Sequence, residues 1–157
     1  MQKDNLNRAL RAFADLVISG AVDNIEAPRD RPYTKTGVTS PIDTTGTLKK
    51  SLYAEVKGAT VLFRSTASYA YDVEYGHSNL ASISSLIDWI RAKPVDTSWA
   101  KGKNKELSAA FAIRNAIAQR GVPGMFYYRE AVDAVLPQHR REIAEAFKED
   151  INASINL

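Results

Sequence analysis

The sequence predicts an α+β fold: a long N-terminal helix packed on a small antiparallel sheet, with an added helical pair and C-terminal helices. Three observations carry this prediction. Leu6, Leu10, Phe13, Val17, Ala21 and Ile25 recur at three- and four-residue steps, which puts them on one face of a helix. Two runs of β-branched and aromatic character, 52–57 and 60–65, flank Gly58-Ala59, and a two-residue connection opening on glycine is a hairpin signal. Beyond residue 82 the apolar residues return to helical spacing in stretches broken by Pro94, Gly121 and Pro123. A chain of 157 residues fits a single domain, 1–157, with 81–120 as a helical insertion. A domain of that size buries roughly 68–70% of its unfolded surface, enough for a core without staples.

The first helix is expected over 4–26. Asp4 supplies the acid favoured at a helix N-terminus, and Gly20 permits a bend. Ala27-Pro28 ends the helix, because the residue before proline is pushed out of the α region. Residues 29–40, with four charges, a proline and a glycine, read as an exposed, mobile loop. Asp43 or Thr44 is placed to cap a short helix through Leu48 to Ser51, and alanine at a true cap costs ~0.5–2 kcal/mol. The hairpin that follows is marginal alone in water and must pack on helices or pair with another strand.

Residues 69–75 fit two patterns. Tyr69, Tyr71, Val73 and Tyr75 alternate as in a strand. Ser68 as an N-cap and Gly76 as a left-handed stop favour a short helix. The next helix starts at Ser82 or Ser84, turns Ile83, Leu86, Ile87 and Ile90 inward, and closes at Lys93-Pro94. Residues 94–104 read as a polar, basic loop. Leu107, Ala110, Phe111, Arg114, Ile117 and Ala118 share one helical face ending at Gly121. Val122-Pro123-Gly124 reads as a turn. The last helical region begins near Met125, is interrupted or restarted at Pro137, and runs towards Ala153 with Ile143, Ala146, Phe147 and Ile151 on one side.

Composition narrows the chemistry. There are no cysteines, so disulfides and thiolate metal sites are excluded, which suits a reducing cytoplasm. No apolar run approaches the ~20 residues of a membrane span, and Met1 to Leu6 lacks the layout of a signal peptide; a soluble, intracellular chain without membrane contact is expected. His77 and His139, the two histidines, are far apart and belong to no metal-ligand spacing; His77 reads as a polar loop residue. No phosphate-binding glycine loop or nucleophile elbow is present. Asp43, Asp72, Glu74 and Asp88 have no spacing that requires a metal. No cofactor and no catalysis are expected.

The net charge of +3 is too mild to argue for nucleic acid by itself. Its distribution is uneven. Residues 91–120 carry seven positive and two negative charges, while 121–157 carry four and six. The excess gathers at Lys93, Lys101, Lys103, Lys105, Arg114 and Arg120. Such asymmetry marks either a solvated face or a partner surface. The Lys101-Gly102-Lys103-Asn104-Lys105 tract has phosphate-neutralising chemistry but no groove-reading motif.

Two segments remain. Pro41-Ile42-Asp43-Thr44-Thr45-Gly46-Thr47-Leu48-Lys49-Lys50-Ser51-Leu52 precedes the hairpin, and Tyr69-Ala70-Tyr71-Asp72-Val73-Glu74-Tyr75-Gly76 follows it. Their order resembles the tail-completion (head–tail joining) proteins of long-tailed bacteriophages, with "P-x-D-T-G-x-L-x-x-S-I/L" and then "Y-A-x-x-V-E-F/Y-G-T/H". Gly121 to Ala131 looks like the family's later "G-h-x-x-x-P/F-F-x-x-A" segment. Here the first motif is one residue longer, through Thr45, and His77 follows the second motif's glycine. The resemblance implies a structural virion protein at the head-proximal end of the tail, assembled in the bacterial cytoplasm and working through interface burial. It implies a ring, a hexamer in the virion from a chain that can be monomeric in solution, and contacts with the tail tube or tail terminator and with head connector proteins. It makes Asp43, Thr44, Gly46, Leu48, Tyr69, Ala70, Val73, Glu74, Tyr75 and Gly76 motif residues. Lys101, Lys103 and Lys105 would face passing DNA. The alternative is a small basic nucleic-acid-binding module.

The lysine tract lacks apolar periodicity, so its three lysines should be exposed. Replacing each with glutamine should shift stability by less than about 0.5 kcal/mol, read as the midpoint of urea unfolding.

Overall fold

In the computed structural model, which describes residues 4–30, 39–42, 45–93 and 95–155 and leaves aside the side chains of residues 30, 39 and 40, the α+β expectation holds. The elements run α1 (Asp4–Glu26), β1 (Arg29–Asp30), β2 (Thr39–Ser40), α2 (Thr47–Lys50), β3 (Leu52–Lys57), β4 (Thr60–Ser65), α3 (Ala70–Tyr75), β5 (Gly76–His77), α4 (Ile83–Ala92), α5 (Lys105–Arg120), β6 (Val122–Pro123) and α6 (Tyr127–Ile155). They gather into two compact units. One comprises Met1–Glu26, Asp43–Ala70 and Phe126–Leu157; the other comprises Ala27–Ile42 and Tyr71–Met125.

The first unit is built on α1. All six residues of its expected stripe are buried, joined by Ala9 and Ala14. This face packs along α6 and over the β3–β4 hairpin. Small residues let the helices approach: a Cβ built on Gly20 would lie 3.3 Å from the Ala131 Cβ. Gly20 therefore serves a helix–helix contact. The two expected runs pair as an antiparallel hairpin, in register from Leu52↔Ser65 to Lys57↔Thr60. Gly58 turns it with φ 63, a conformation that glycine adopts at little cost. Phe63 reaches Phe13 edge-on at 6.2 Å and Tyr128 at 5.5 Å. The Tyr128 hydroxyl donates to the Arg64 carbonyl at 2.8 Å.

A buried carboxylate completes the helix pair. Asp150 of α6 is only 2% exposed. It accepts from the Asn5 N–H at 3.3 Å and the Leu6 N–H at 3.0 Å. Those donors belong to the first turn of α1, which has no partners within its own helix, and the negative charge meets the positive end of the helix dipole.

Four expectations need correction. The short helix begins at Thr47, so its N-cap is Gly46, left-handed at φ 78 and without a side-chain cap bond. The Thr45 hydroxyl accepts from the Thr47 N–H at 3.3 Å; Asp43 and Thr44, expected as caps, lie outside the described residues. The last helix is continuous through Pro137. Pro137 sits on an exposed stretch with Asp133 and Ala134, so water can reach the carbonyl that loses its helical donor, and the Gln138 side chain donates to the Ala134 carbonyl at 3.2 Å. Phe147 of that helix is exposed, while Tyr127, Ala131 and Asp150 are buried. In α5 the buried residues are Ala109, Ala110, Ile113 and Ile117; Leu107 and Phe111, expected inside, are exposed.

The second unit holds the expected helical pair. The Ser82 hydroxyl caps α4 by accepting from the Ser85 N–H at 3.1 Å, and Asn104 caps α5 through Leu107 at 3.0 Å. Leu86 and Ile90 pack with Ala109, Ala110, Ile113 and Ile117, and Trp89 packs against this cluster. Two short ladders were not foreseen. β1 pairs with β2 at the ends of the segment read as a loop, whose residues 31–38 lie outside the described ones, and β5 pairs with β6.

Asp150→Ala should destabilise the chain by about 1–3 kcal/mol, the usual consequence of leaving buried donors without their acceptor. Asp150→Asn, which keeps an acceptor, should cost less. Urea unfolding should show a lower midpoint at unchanged slope.

Candidate functional site

The described residues of 41–52 and 69–76, the two segments that flank the hairpin, adopt defined structures. In the first unit, Leu48 is 1% exposed and anchors the turn that Gly46 opens. Ser51, also buried, donates its hydroxyl to the Leu48 carbonyl at 2.6 Å and lies 2.6 Å from the Ser65 hydroxyl. The Thr66 N–H donates to the Ser51 carbonyl at 3.0 Å. This segment thus clamps the open end of the hairpin. Ala70, where α3 begins, is buried, and its carbonyl accepts from the Tyr127 hydroxyl at 3.2 Å. Tyr127 is itself 1% exposed, and its own carbonyl accepts from the Asn24 side chain at 3.0 Å.

In the second unit the end of α3 meets the turn after α5, backbone against backbone. Gly76 has φ 83, and a Cβ on it would come 2.4 Å from the Val122 carbonyl oxygen and 2.7 Å from the Gly124 nitrogen. A Cβ on Gly124 would come 2.4 Å from the Glu74 carbonyl oxygen. No side chain fits at either place. The ladder pairs Gly76 with Pro123 and His77 with Val122, and the Met125 N–H donates to the Val73 carbonyl at 2.8 Å. His77, expected in a loop, is half-buried in this ladder, which makes a stem from which residues 78–121 extend.

The side chains divide by depth. Glu74 is buried and Val73 half-buried. Tyr69, Tyr71 and Tyr75 are exposed, Tyr71 at 70% and Tyr75 at 52%. One helical turn apart, Tyr71 and Tyr75 place their ring centroids 4.8 Å apart. An exposed aromatic pair on a fixed helix is apt for a contact surface, since tyrosine combines a large apolar body with a polar tip.

The basic segment forms a second exposed feature. Lys101, Lys103 and Lys105 are exposed, as expected, and so are Trp99, Leu107 and Phe111. Arg91 is bound through two nitrogens to one Glu106 oxygen at 2.9 and 2.7 Å. The Glu106 carboxylate, by hydrogen bond first and charge second, pushes the Arg91 pKa up. Arg114, counted with the basic excess, is half-buried.

The sequence did not show the roles of three members of these arrangements. Gly124, expected in a turn and within the 121–131 segment, lies so close to the Glu74–Gly76 backbone that no side chain fits. Tyr127, expected within the 121–131 segment near the start of the last helix, proves to be buried and bonded to the Ala70 carbonyl. Phe126 adopts φ 52, uncommon for a bulky residue, with the Arg129 guanidinium 4.6 Å above its ring. Among the described residues no group of three or more His, Cys, Asp and Glu could hold a metal ion, and no helix is long and apolar enough to cross a membrane. No protein family, curated protein or solved structure matches this chain.

Gly76→Ala and Gly58→Ala form a matched pair, because both glycines have positive φ. Each should lose about 1–2 kcal/mol to the left-handed backbone. Gly58 has nothing within 4 Å of a new Cβ, so Gly76→Ala should be the more damaging by a clear margin in thermal or urea unfolding.

Proposed function

We propose that this chain is a structural virion protein of a long-tailed bacteriophage that completes the head-proximal end of the tail and joins it to the head. It acts by protein–protein contacts, not catalysis: with further copies in a ring, with the tail tube or tail terminator, and with head connector proteins. The observation that supports this reading is the backbone contact between the 69–76 and 121–131 segments, both of which resemble the family. In the second unit, Gly76 and Gly124 lock the two together while Tyr71 and Tyr75 stay exposed. Such an arrangement suits a rigid mount that presents a contact surface. Each subunit contact can be weak where ring symmetry repeats it.

Under this reading Asp43, Thr44, Gly46 and Leu48 are structural, and the exposed tyrosines are the contact residues. A second reading, a small basic nucleic-acid-binding module, draws support from exposed Lys101, Lys103 and Lys105 next to exposed Trp99. A salt series on duplex binding separates the two. Phosphate contacts fade steeply with salt, and tight binding at physiological salt favours the nucleic-acid module.

Purified protein added to headless tails should cap one end of the tube, seen by electron microscopy and by a mass gain. Tyr71→Ser with Tyr75→Ser should abolish capping while changing stability little, since both rings are exposed. Failure of the wild type to associate with tails, together with tight duplex binding, would overturn the reading.

A further inference from the structure

We infer that the exposed basic patch at the start of α5 docks into the groove between α1 and α6 of a second copy of this chain, so that copies associate head to tail. Closure into a ring rests on the function proposed above; the contact itself rests on two surfaces of unlike chemistry. The first lies in the second unit. Lys101, Lys103 and Lys105 are exposed, and no ion pair compensates them among the described residues. The neighbouring acid, Glu106, is held by Arg91. A Cβ on Gly102 would lie 3.5 Å from the Ser108 hydroxyl, so the lysine loop folds against the first turns of α5, which also carry exposed Phe111. Uncompensated positive charge and a large apolar side chain therefore share one patch.

The second surface lies in the first unit. A groove of about 250 Å³ between α1 and α6 is lined by Ala9, Ala12 and Ala146, with Glu142, Glu145 and Glu149 along α6 and with Arg8 and Asn5 along α1. The glutamates are exposed; they outnumber Arg8, which is engaged by the Asn5 side chain at 2.7 Å. Glu142 and Glu145 also meet His139 and Arg141 on their own helix, while Glu149 has no ion pair among the described residues. Three carboxylates beside an alanine floor complement three ammonium groups beside an aromatic ring. The apolar part decides the occupant: the alanines can cover Phe111, which a phosphate backbone cannot. Complementary charge sets orientation and encounter rate more than affinity. A contact between two different surfaces of one chain repeats until it closes a ring or runs on as a filament.

The chain has no cysteine, so disulfide trapping reports only introduced thiols. Lys103→Cys is mixed with Glu145→Cys under mild oxidation, with Lys103→Cys plus Lys57→Cys, on the exposed end of the hairpin, as the control. The expected result is heterodimer forming several-fold faster in the first mixture, with the difference lost at about 1 M salt, where screening reaches ~3 Å. Equal rates in the two mixtures would overturn the inference. So would protection of the Lys103→Cys thiol by duplex DNA without cross-linking, which makes the patch a nucleic-acid surface. A variant carrying both cysteines separates this contact from the ring. Cross-linked ladders without a closed species keep the contact and sink the ring; closed rings without the cross-link do the reverse.

Discussion

The close approach of Gly76 and Gly124 is the constraint on which the second unit depends. At both positions a single added carbon would meet backbone at 2.4 Å, and backbone cannot swing aside as a flexible side chain can. The contact closes a long loop, a step whose entropic cost must be met before any local reward. The reward comes as the β5–β6 ladder and the bond from the Met125 N–H to the Val73 carbonyl. Once the stem is closed, α4 and α5 need only bury Leu86 and Ile90 against the alanines and isoleucines of α5. The helical pair that extends from this stem carries exposed charge and aromatic surface of its own.

The first unit follows a different logic. Its apolar stripe would bury α1 against many partners, since burial is roughly proportional to area and not directional. Polar groups add the direction. Asp150 fixes which end of α1 meets the end of α6, because only the first turn of a helix offers free N–H groups. Tyr127 and Tyr128 reach the Ala70 and Arg64 carbonyls, which ties the start of α6 to the hairpin and to the start of α3. Ser51 and Leu48 hold the hairpin's open end. The buried polar groups thus act as register marks within an otherwise adaptable apolar contact.

Much of this was legible in the sequence, for a physical reason. The α1 stripe, the hairpin and its turn, and the stop at Gly76 depend on local periodicity and turn chemistry, which neighbouring residues encode. The face of α5 was not legible, because apolar residues lie on more than one side and only the packing partner decides that Ala110 goes in and Phe111 stays out. Pro137 misled because proline disfavours a helix interior without always ending it, and on this exposed stretch water can reach the carbonyl left without a donor. The ladders β1–β2 and β5–β6 are two residues long, too short for any period. Among the candidate site residues, Leu48 and Gly76 could be picked from pattern, and the lysines from composition. Gly124 and Asp150 could not, since each acts on a partner far away in the chain.

On this account the Gly76–Gly124 contact holds the stem of the second unit as a cooperative feature of its own. Amide hydrogen exchange in Gly124→Ala tests it most directly. Exchange at Met125 and Val122 should accelerate sharply, while the amides of the 52–65 hairpin keep their wild-type protection. Unchanged protection at Met125, or an equal loss across the hairpin and the stem, would contradict it.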